Sequence, residues 1–210
     1  MDGPVGQDML KAFSARGLEA LAWGEQGFRH LTNSKRAVTT AADAKGLKIR
    51  TTENPVHITA FRQIGILPTP MAWPEVATAL QQGTIDGQEN PLSVITSAKL
   101  SQLQKHLSLT YHAYSALVVV MNKQKFEAMS PANQKAIVEA AREAGAYQRK
   151  LNNENIAKIV GDLKKLNVSV VEKVDPAPFL EVTKPGRKTF TDKFGGEDVI
   201  KAIDAVRDVK

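Results

Sequence analysis

Arg50 is the residue whose type and place in the sequence most clearly suggest chemistry. It follows residues 47–49 (LKI) and stands at the end of a predicted β-strand. In α/β folds, side chains at the carboxyl end of a strand reach the crevice where ligands bind. The planar guanidinium of an arginine matches the two oxygens of a carboxylate and holds them by charge-assisted hydrogen bonds. Arg50 is therefore a candidate carboxylate ligand, with an ordinary salt bridge as the alternative.

Two further residues stand where they would complete such a site. Trp73 lies between Pro70 and Pro74, which favours a rigid aromatic wall, although ordinary packing explains a tryptophan there equally well. Asn90 precedes Pro91, where a predicted strand gives way to a helix. Its amide is either a donor to a ligand or a cap of that helix.

Patterns typical of catalysis or metal binding do not occur in the sequence. Four histidines are spread along the chain: His30, His57, His106 and His112. None has the spacing of a metal site, and there is neither a phosphate-binding glycine loop nor a nucleophile elbow, so no metal and no cofactor is predicted. Four carboxylates stand near predicted loops: Glu53, Glu75, Asp86 and Glu89. An enzyme that uses Glu89 or His112 stays an alternative, which requires a titrating pair within hydrogen-bond reach.

The composition narrows the class of protein. The formal net charge of +6 comes from basic residues that are scattered along the 210-residue chain, so nucleic-acid binding is not predicted. The chain has no cysteine, which excludes disulfides, thiol catalysis and cysteine metal sites. The longest apolar run, residues 116–121, is too short to cross a bilayer, and no export signal is visible at the start.

The elements that must position these side chains alternate between strand and helix patterns, which predicts an α/β fold. Strands are predicted at residues 18–23, 47–51, 66–70, 86–89, 107–122 and 168–171. Helices are predicted at residues 8–16, 40–45, 55–64, 74–82, 91–104, 132–166 and 178–209. The last helix should break around residues 184–186 and 195–196. Residues 24–34 read as a loop, and residues 117–121 as a strand buried on both faces.

Four motifs in a fixed order carry a resemblance to a known family. They are residues 46–50 (GLKIR), 68–73 (PTPMAW), 79–83 (ALQQG) and 86–91 (DGQENP). Residues 2–6, 27–34 and 104–110 and the long helix after residue 131 extend the match. Together they resemble the solute-binding proteins of tripartite ATP-independent periplasmic (TRAP) transporters, of the dicarboxylate-binding-protein type, over nearly the whole chain.

The resemblance implies a two-lobed, periplasmic-binding-protein-like α/β fold with a cleft between the lobes and one long helix. Residues 1–26 and 116–155 would be the remnant of a first lobe, residues 27–115 and 156–183 a second lobe, and residues 184–210 a C-terminal helical segment. Family members have an N-terminal segment before the point matched by Asp2. We therefore expect an incomplete first lobe with an exposed sheet edge or apolar face.

The resemblance also implies a function. Such a receptor is not an enzyme; it binds a small organic acid by its carboxylate in the periplasm and delivers it to the membrane subunits of a TRAP transporter, its only link to the membrane. The ligand-binding residues expected are Arg50 as the carboxylate clamp, Arg29 as a second, supporting arginine, Trp73 as the aromatic wall, Asn90 as a hydrogen-bond donor, and Glu53 and Glu89 nearby. A truncated fragment of a receptor, which binds no ligand or which oligomerises, is a further alternative.

Overall fold

The structure, a computed structural model, describes residues 1–207 apart from the side chains of Leu180, Val206 and Arg207. The helices are α1 (Pro4–Lys11), α2 (Pro55–Ile64), α3 (Val76–Gln82), α4 (Leu92–Ser97), α5 (Lys123–Glu127), α6 (Pro131–Lys165), α7 (Ala177–Phe194) and α8 (Glu197–Arg207). The strands are β1 (Leu18–Asn33), β2 (Lys48–Thr51), β3 (Leu67–Pro70), β4 (Gly87–Pro91), β5 (His106–Asn122) and β6 (Ser169–Val171). This content confirms the predicted α/β fold class.

The strands form one sheet in the order β3-β2-β4-β1-β5-β6. β2 runs parallel to both β3 and β4, while β1 runs antiparallel to β4. The carboxyl ends of β2, β3 and β4 therefore lie at one edge of the sheet. Gly87 allows β4 to approach β1 closely, because a Cβ there would lie 2.0 Å from the carbonyl oxygen of Thr32.

The chain forms two compact units. Unit 1 consists of Met1–Gln26, Ala116–Asn155 and the residues from Gly196 onward, and unit 2 consists of Gly27–Ser115 and Ile156–Gly195. The predicted C-terminal segment is thus divided between the units at Gly196. The assignment of the remaining ranges to the two lobes of a receptor stays a prediction.

Unit 2 has two apolar clusters. The first joins α3, α4 and the end of α6 to β5 and includes Leu80, Ile95, Leu107 and Leu163. The second joins α2 and α7 to β1 and β2 and includes Leu31, Ile49, Phe61, Ile64 and Phe179. Each large apolar side chain that is fully buried in this way contributes about 1.5–3 kcal/mol to the free energy of unfolding.

Local signals place α2 where the sequence predicts it. Pro55 occupies the first turn, and the side chain of Asn54 caps the helix by accepting a hydrogen bond from the Val56 amide (2.9 Å). Gly65 ends the helix in the left-handed conformation, with φ of 85°. The loop between β2 and α2 is therefore short and capped, next to the carboxyl end of β2.

Unit 1 is held together around Trp23. The indole Nε1 donates a hydrogen bond to the carbonyl of Gly6 (3.1 Å), and the Gln148 side chain bonds both the amide and the carbonyl of Glu25 (2.9 and 2.7 Å). Gly145 of α6 packs against the Trp23 carbonyl, where a Cβ would come within 2.3 Å of the oxygen. These contacts fix α1 and α6 on the first half of β1.

Three local predictions were wrong. Residues 24–33 are strand rather than loop, and over Arg29–Asn33 the polar residues of β1 have their partners in β4. The strand at residues 117–121 is not buried on both faces, since Leu117, Val119 and Val120 each keep 41–42% of their surface exposed. α7 continues through Pro185, and the predicted break comes only at Gly195 and Gly196, both at positive φ.

Candidate functional site

The predicted binding residues of the central motifs meet at the edge where the parallel strands of unit 2 end. Arg50 and Asn90 are the next-to-last residues of β2 and β4, and Trp73 follows β3 in a short 3-10 turn. The register pairs Arg50 with Gln88, so the Arg50 side chain lies on the same face of the sheet as those of Gln88 and Asn90. The sequence therefore placed Arg50 correctly at a strand end.

The Arg50 guanidinium is buried, with 5% of the residue exposed, but no carboxylate partners it among the described residues. Its Nε and Nη2 both donate to the carbonyl oxygen of Met71, at 3.1 and 2.8 Å. An arginine has five N–H donors, so this single carbonyl leaves donors to spare. Burial lowers the pKa of Arg50; the charge of Glu89 opposes this effect and that of Arg29 adds to it. The group remains a cation, and it lacks an anion.

Trp73 lies against this cation. The guanidinium carbon of Arg50 is 5.6 Å from the centroid of the indole ring, within the range of a cation–π contact. Trp73 keeps 40% of its surface exposed. Pro74 follows it in the 3-10 turn Trp73–Glu75. The indole thus contacts the guanidinium and leaves part of its own surface exposed.

Arg29, unlike Arg50, is paired with a carboxylate of the protein. Its Nε and Nη2 bind the two carboxylate oxygens of Glu89, the latter at 2.8 Å, and Nη2 also donates to the Glu89 carbonyl (2.7 Å). Nη1 donates to Ser115 Oγ (3.0 Å), and Nη2 also reaches Asn90 Oδ1 (3.0 Å). Protein acceptors surround this guanidinium, so any part Arg29 plays with a ligand is a supporting one.

Glu89 is fully buried and its carboxylate is saturated. Besides Arg29, it accepts a hydrogen bond from His112 Nε2 (3.0 Å), whose other ring nitrogen bonds Thr110 Oγ1 (2.7 Å). Burial acts to raise the pKa of Glu89, but hydrogen bonds from His112 and Arg29, aided by their charges, hold the pKa at about 2. Glu89 is therefore a permanent anion within unit 2.

The pair of Glu89 and His112 satisfies the distance that the enzyme alternative required. Its electrostatics do not suit catalysis, because a carboxyl group whose pKa is about 2 is a weak base near neutral pH. Both oxygens of that carboxylate are also occupied by Arg29 and His112. The pair is better explained as part of a buried ion cluster.

Asn90 and Glu53 differ in how far they join the site. Asn90 is buried; its Oδ1 accepts from Arg29, and its Nδ2 donates to Gln88 Oε1 (2.5 Å), which leaves one N–H of the amide. Glu53 is exposed in the bend between β2 and α2. It lies three residues after Arg50, and no side-chain contact ties it to the other predicted residues in the described part of the chain.

Sequence reasoning missed the groups that form hydrogen bonds with the site residues and with His112. These are Gln88, Thr110 and Ser115, together with the carbonyl of Met71. Gln88 lies inside a recognised motif, and its place two residues before Asn90 on a strand was a signal that both face the same side. The Met71 carbonyl carries no signal in the sequence. Within residues 1–207, no group of three or more potential ligands is arranged to hold a metal ion.

Comparison with known proteins identifies the family. The model of the DctP family, described as bacterial extracellular solute-binding protein, family 7, matches residues 1–193. The chain belongs to this family. The resemblance to TRAP solute-binding proteins is thereby confirmed, and an enzyme is not favoured, because this family consists of solute-binding receptors.

Solved structures of DctP-family proteins share the fold. A TRAP periplasmic solute-binding protein from Bordetella, with density assigned to pantoate, is 57% identical with a TM-score of 0.90 over 100% of this chain and 68% of its own. A second, from Polaromonas sp. JS666 and bound to D-erythronate, is 51% identical with a TM-score of 0.92 over 99% of this chain and 68% of its own.

Curated DctP-family relatives are longer than this chain. The 2,3-diketo-L-gulonate-binding periplasmic protein of Escherichia coli is 44% identical over 99% of this chain and 64% of its own length. The chain spans 58–64% of the length of the first three such relatives. Among the described residues, no helix combines the length and the apolar character needed to cross a membrane.

Proposed function

We propose that this chain binds a small organic acid by its carboxylate, as an extracytoplasmic solute receptor. The observation that carries the proposal is the buried Arg50 guanidinium, which contacts Met71 and Trp73 and has no anionic partner within the described residues. A buried charge is costly unless it is paired, and an incoming carboxylate supplies the missing partner. Arg29 does not compete for the ligand, because Glu89 already neutralises it.

The chemistry of the relatives' ligands narrows the class of acid. Pantoate and D-erythronate, named for the structures 57% and 51% identical to this chain, share a butanoate skeleton with hydroxyl groups on the second and fourth carbons. We propose that this chain takes an acid of the same kind, a short hydroxylated monocarboxylate. Arg50 would bind the carboxylate, the free N–H of Asn90 would support it, and Trp73 would pack on the ligand body.

Delivery to a membrane transporter is the second part of the proposal. The solved relatives are TRAP periplasmic solute-binding proteins by name, so the partners proposed for this chain are TRAP membrane subunits and its proposed location is the periplasm. The proposed contact with the membrane is through those subunits alone.

Calorimetric titration tests the proposal with a panel that separates carboxylate from hydroxyl recognition. D-erythronate and pantoate should bind, whereas erythritol, which has no carboxylate, and butanoate, which has no hydroxyl group, should bind far more weakly. Arg50→Ala should weaken D-erythronate binding by about a hundredfold or more, since it removes charge-assisted hydrogen bonds.

Arg62→Ala is the matched control, because Arg62 is an exposed arginine on α2 of the same unit. It should leave the dissociation constant unchanged. Binding that survives Arg50→Ala within about threefold, less than about 0.7 kcal/mol, would show that Arg50 is not the clamp.

A further inference from the structure

A chain of side-chain hydrogen bonds leads from Asn90 into the interior of unit 2. Asn90 Nδ2 donates to Gln88 Oε1 at 2.5 Å, and Gln88 Nε2 donates to Thr32 Oγ1 at 2.8 Å. The Thr32 hydroxyl in turn donates to Gln104 Oε1 at 3.0 Å. The chain thus connects β4 with β1 and then with the residue that precedes β5 by two positions.

The groups at the two ends of this series of hydrogen bonds fix which atom donates and which accepts in each bond. At one end, Arg29 Nη2 donates to Asn90 Oδ1 (3.0 Å), and a guanidinium has only donors to offer. At the other end, Gln104 Nε2 donates to the carbonyls of Leu103 and Asp86 (3.0 and 3.4 Å), which only accept. Turning over any amide in between would set donor against donor or acceptor against acceptor. Each amide therefore has one orientation in which every bond forms.

Protein stability alone does not account for this series of hydrogen bonds. Gln88, Thr32 and Gln104 are at most 2% exposed, so none of them contacts solvent to a useful extent. Apolar side chains of similar shape hold buried strands together as well as a hydrogen-bonded set does, and often better. What an apolar replacement would lose is the orientation of the Asn90 amide.

That orientation matters because of what Asn90 presents beside Arg50. With Oδ1 held by Arg29 and one Nδ2 hydrogen held by Gln88, the group left over is the second Nδ2 hydrogen. A donor there attracts a carboxylate, whereas the amide oxygen in the same place would repel it. Arg50 pairs with Gln88 in the β2–β4 register, so both groups serve the same face of the sheet.

We propose that Gln88, Thr32 and Gln104 are positioning residues, which set the affinity for the acid by fixing the Asn90 amide without touching the ligand. This inference rests on the proposed function and extends it to residues in the interior of unit 2. It predicts that removing the Thr32 hydroxyl, two hydrogen bonds away from Asn90, weakens ligand binding.

The first measurement is D-erythronate binding by Thr32→Val, which keeps the shape of the side chain and removes its hydroxyl. The substitution removes the bonds to Gln88 and Gln104, and binding should weaken between about threefold and tenfold, as expected if the Asn90 amide then contributes to the ligand one neutral hydrogen bond less. Thr32→Ser, which keeps the hydroxyl, should bind like the unchanged protein. Thr51→Val is the matched control: Thr51 is a fully buried threonine on β2 whose hydroxyl has no partner among the described residues.

A double-mutant cycle separates positioning from general loosening. Asn90→Ala should weaken binding by itself, and Thr32→Val should then have no further effect on the dissociation constant. If Thr32→Val weakens binding as much in the Asn90→Ala background as alone, or if Thr51→Val weakens it equally, the positioning role is wrong.

The second measurement needs no ligand. In 15N-labelled protein, the side-chain amide signals of Asn90 are identified by their loss in Asn90→Ala. Thr32→Val should shift them, and Thr51→Val should not. Should no acid in the panel bind, the proposed function fails while this comparison still decides the inference. Unchanged Asn90 signals in Thr32→Val would overturn it.

Discussion

Unit 2 contains two buried arginines, and they differ in whether a carboxylate of the protein pairs with them. Arg29 is 7% exposed and is bound by both carboxylate oxygens of Glu89. Arg50 is 5% exposed, donates to the carbonyl of Met71 and lies against Trp73, with no carboxylate partner in the described part of the chain. Burial is therefore the same for both, and the difference lies in whether the fold supplies an anion. The anion of Arg29 is part of the protein, whereas the anion proposed for Arg50 is the ligand.

The comparison predicts opposite effects on stability when each arginine is replaced by methionine. Arg29→Met should lower the free energy of unfolding by about 3–5 kcal/mol, because it takes the arginine from the buried Glu89 carboxylate and leaves it the hydrogen bond from His112. Arg50→Met should change it by less than about 1 kcal/mol or raise it, since a desolvated charge is removed and no anion is stranded. Urea unfolding in the absence of ligand measures both. Equal losses in the two variants would break the comparison.

Acid should act on two buried groups of unit 2, His30 and Glu89, over two overlapping pH ranges. Burial, aided by the charge of His112, lowers the pKa of His30 to about 3, so the folded protein resists a proton that the unfolded chain takes up near pH 6.5. The free energy of unfolding should then fall by about 1.4 kcal/mol per pH unit for this histidine as the pH drops from 6.5 towards 3. Glu89, with a folded pKa of about 2, should add its own loss only below its unfolded value of 4.5.

His30→Asn removes the contribution of His30 to the pH dependence and leaves that of Glu89. An asparagine oxygen can replace His30 Nδ1, which accepts a hydrogen bond from the Tyr111 amide (3.3 Å). The slope of unfolding free energy against pH should become shallower between about pH 6.5 and 3 in this variant and stay unchanged below about pH 3. A slope unchanged above pH 4.5 would show that His30 takes no part in acid sensitivity.

The smallest expected effect concerns Thr51, the neighbour of Arg50. Its hydroxyl is buried without a hydrogen-bond partner among the described residues, so the group bears a desolvation cost that nothing offsets. Thr51→Val should raise the free energy of unfolding by about 1 kcal/mol. Thr32→Val removes a bonded hydroxyl and should lower it. Chemical denaturation measures both variants. If Thr51→Val is the less stable of the two, this assignment of hydrogen-bond partners is wrong.

The sequence was informative wherever a signal was local. Pro55 and Gly65 bound α2 as predicted, and Arg50 lies near the carboxyl end of β2, where the predicted strand placed it. Local patterns failed where distant partners decide the outcome. Residues 29–33 belong to a stretch predicted as a loop and still form a strand, since β4, about 60 positions later in the chain, pairs with them.

The same limit applies to the site. Arg29 and Arg50 look alike in sequence, and the family resemblance assigns both to the ligand. The difference between them depends on the antiparallel register of β1 and β4, which sets Arg29 diagonally across from Glu89. A register cannot be read from composition or spacing. The ligand-binding roles of Arg50, Arg29, Trp73, Asn90, Glu53 and Glu89 stay predictions until binding is measured.

Trp73 gives the Arg50 site an optical property. The protein has two tryptophans, of which Trp23 is buried in unit 1 and Trp73 is 40% exposed over a guanidinium. Indole emission depends on the electric field and on water at the ring, and an anion arriving at Arg50 changes both within a few ångströms of Trp73. The unlabelled protein thus reports on its own occupancy through ultraviolet fluorescence, with Trp23 as an internal reference that external quenchers reach less readily.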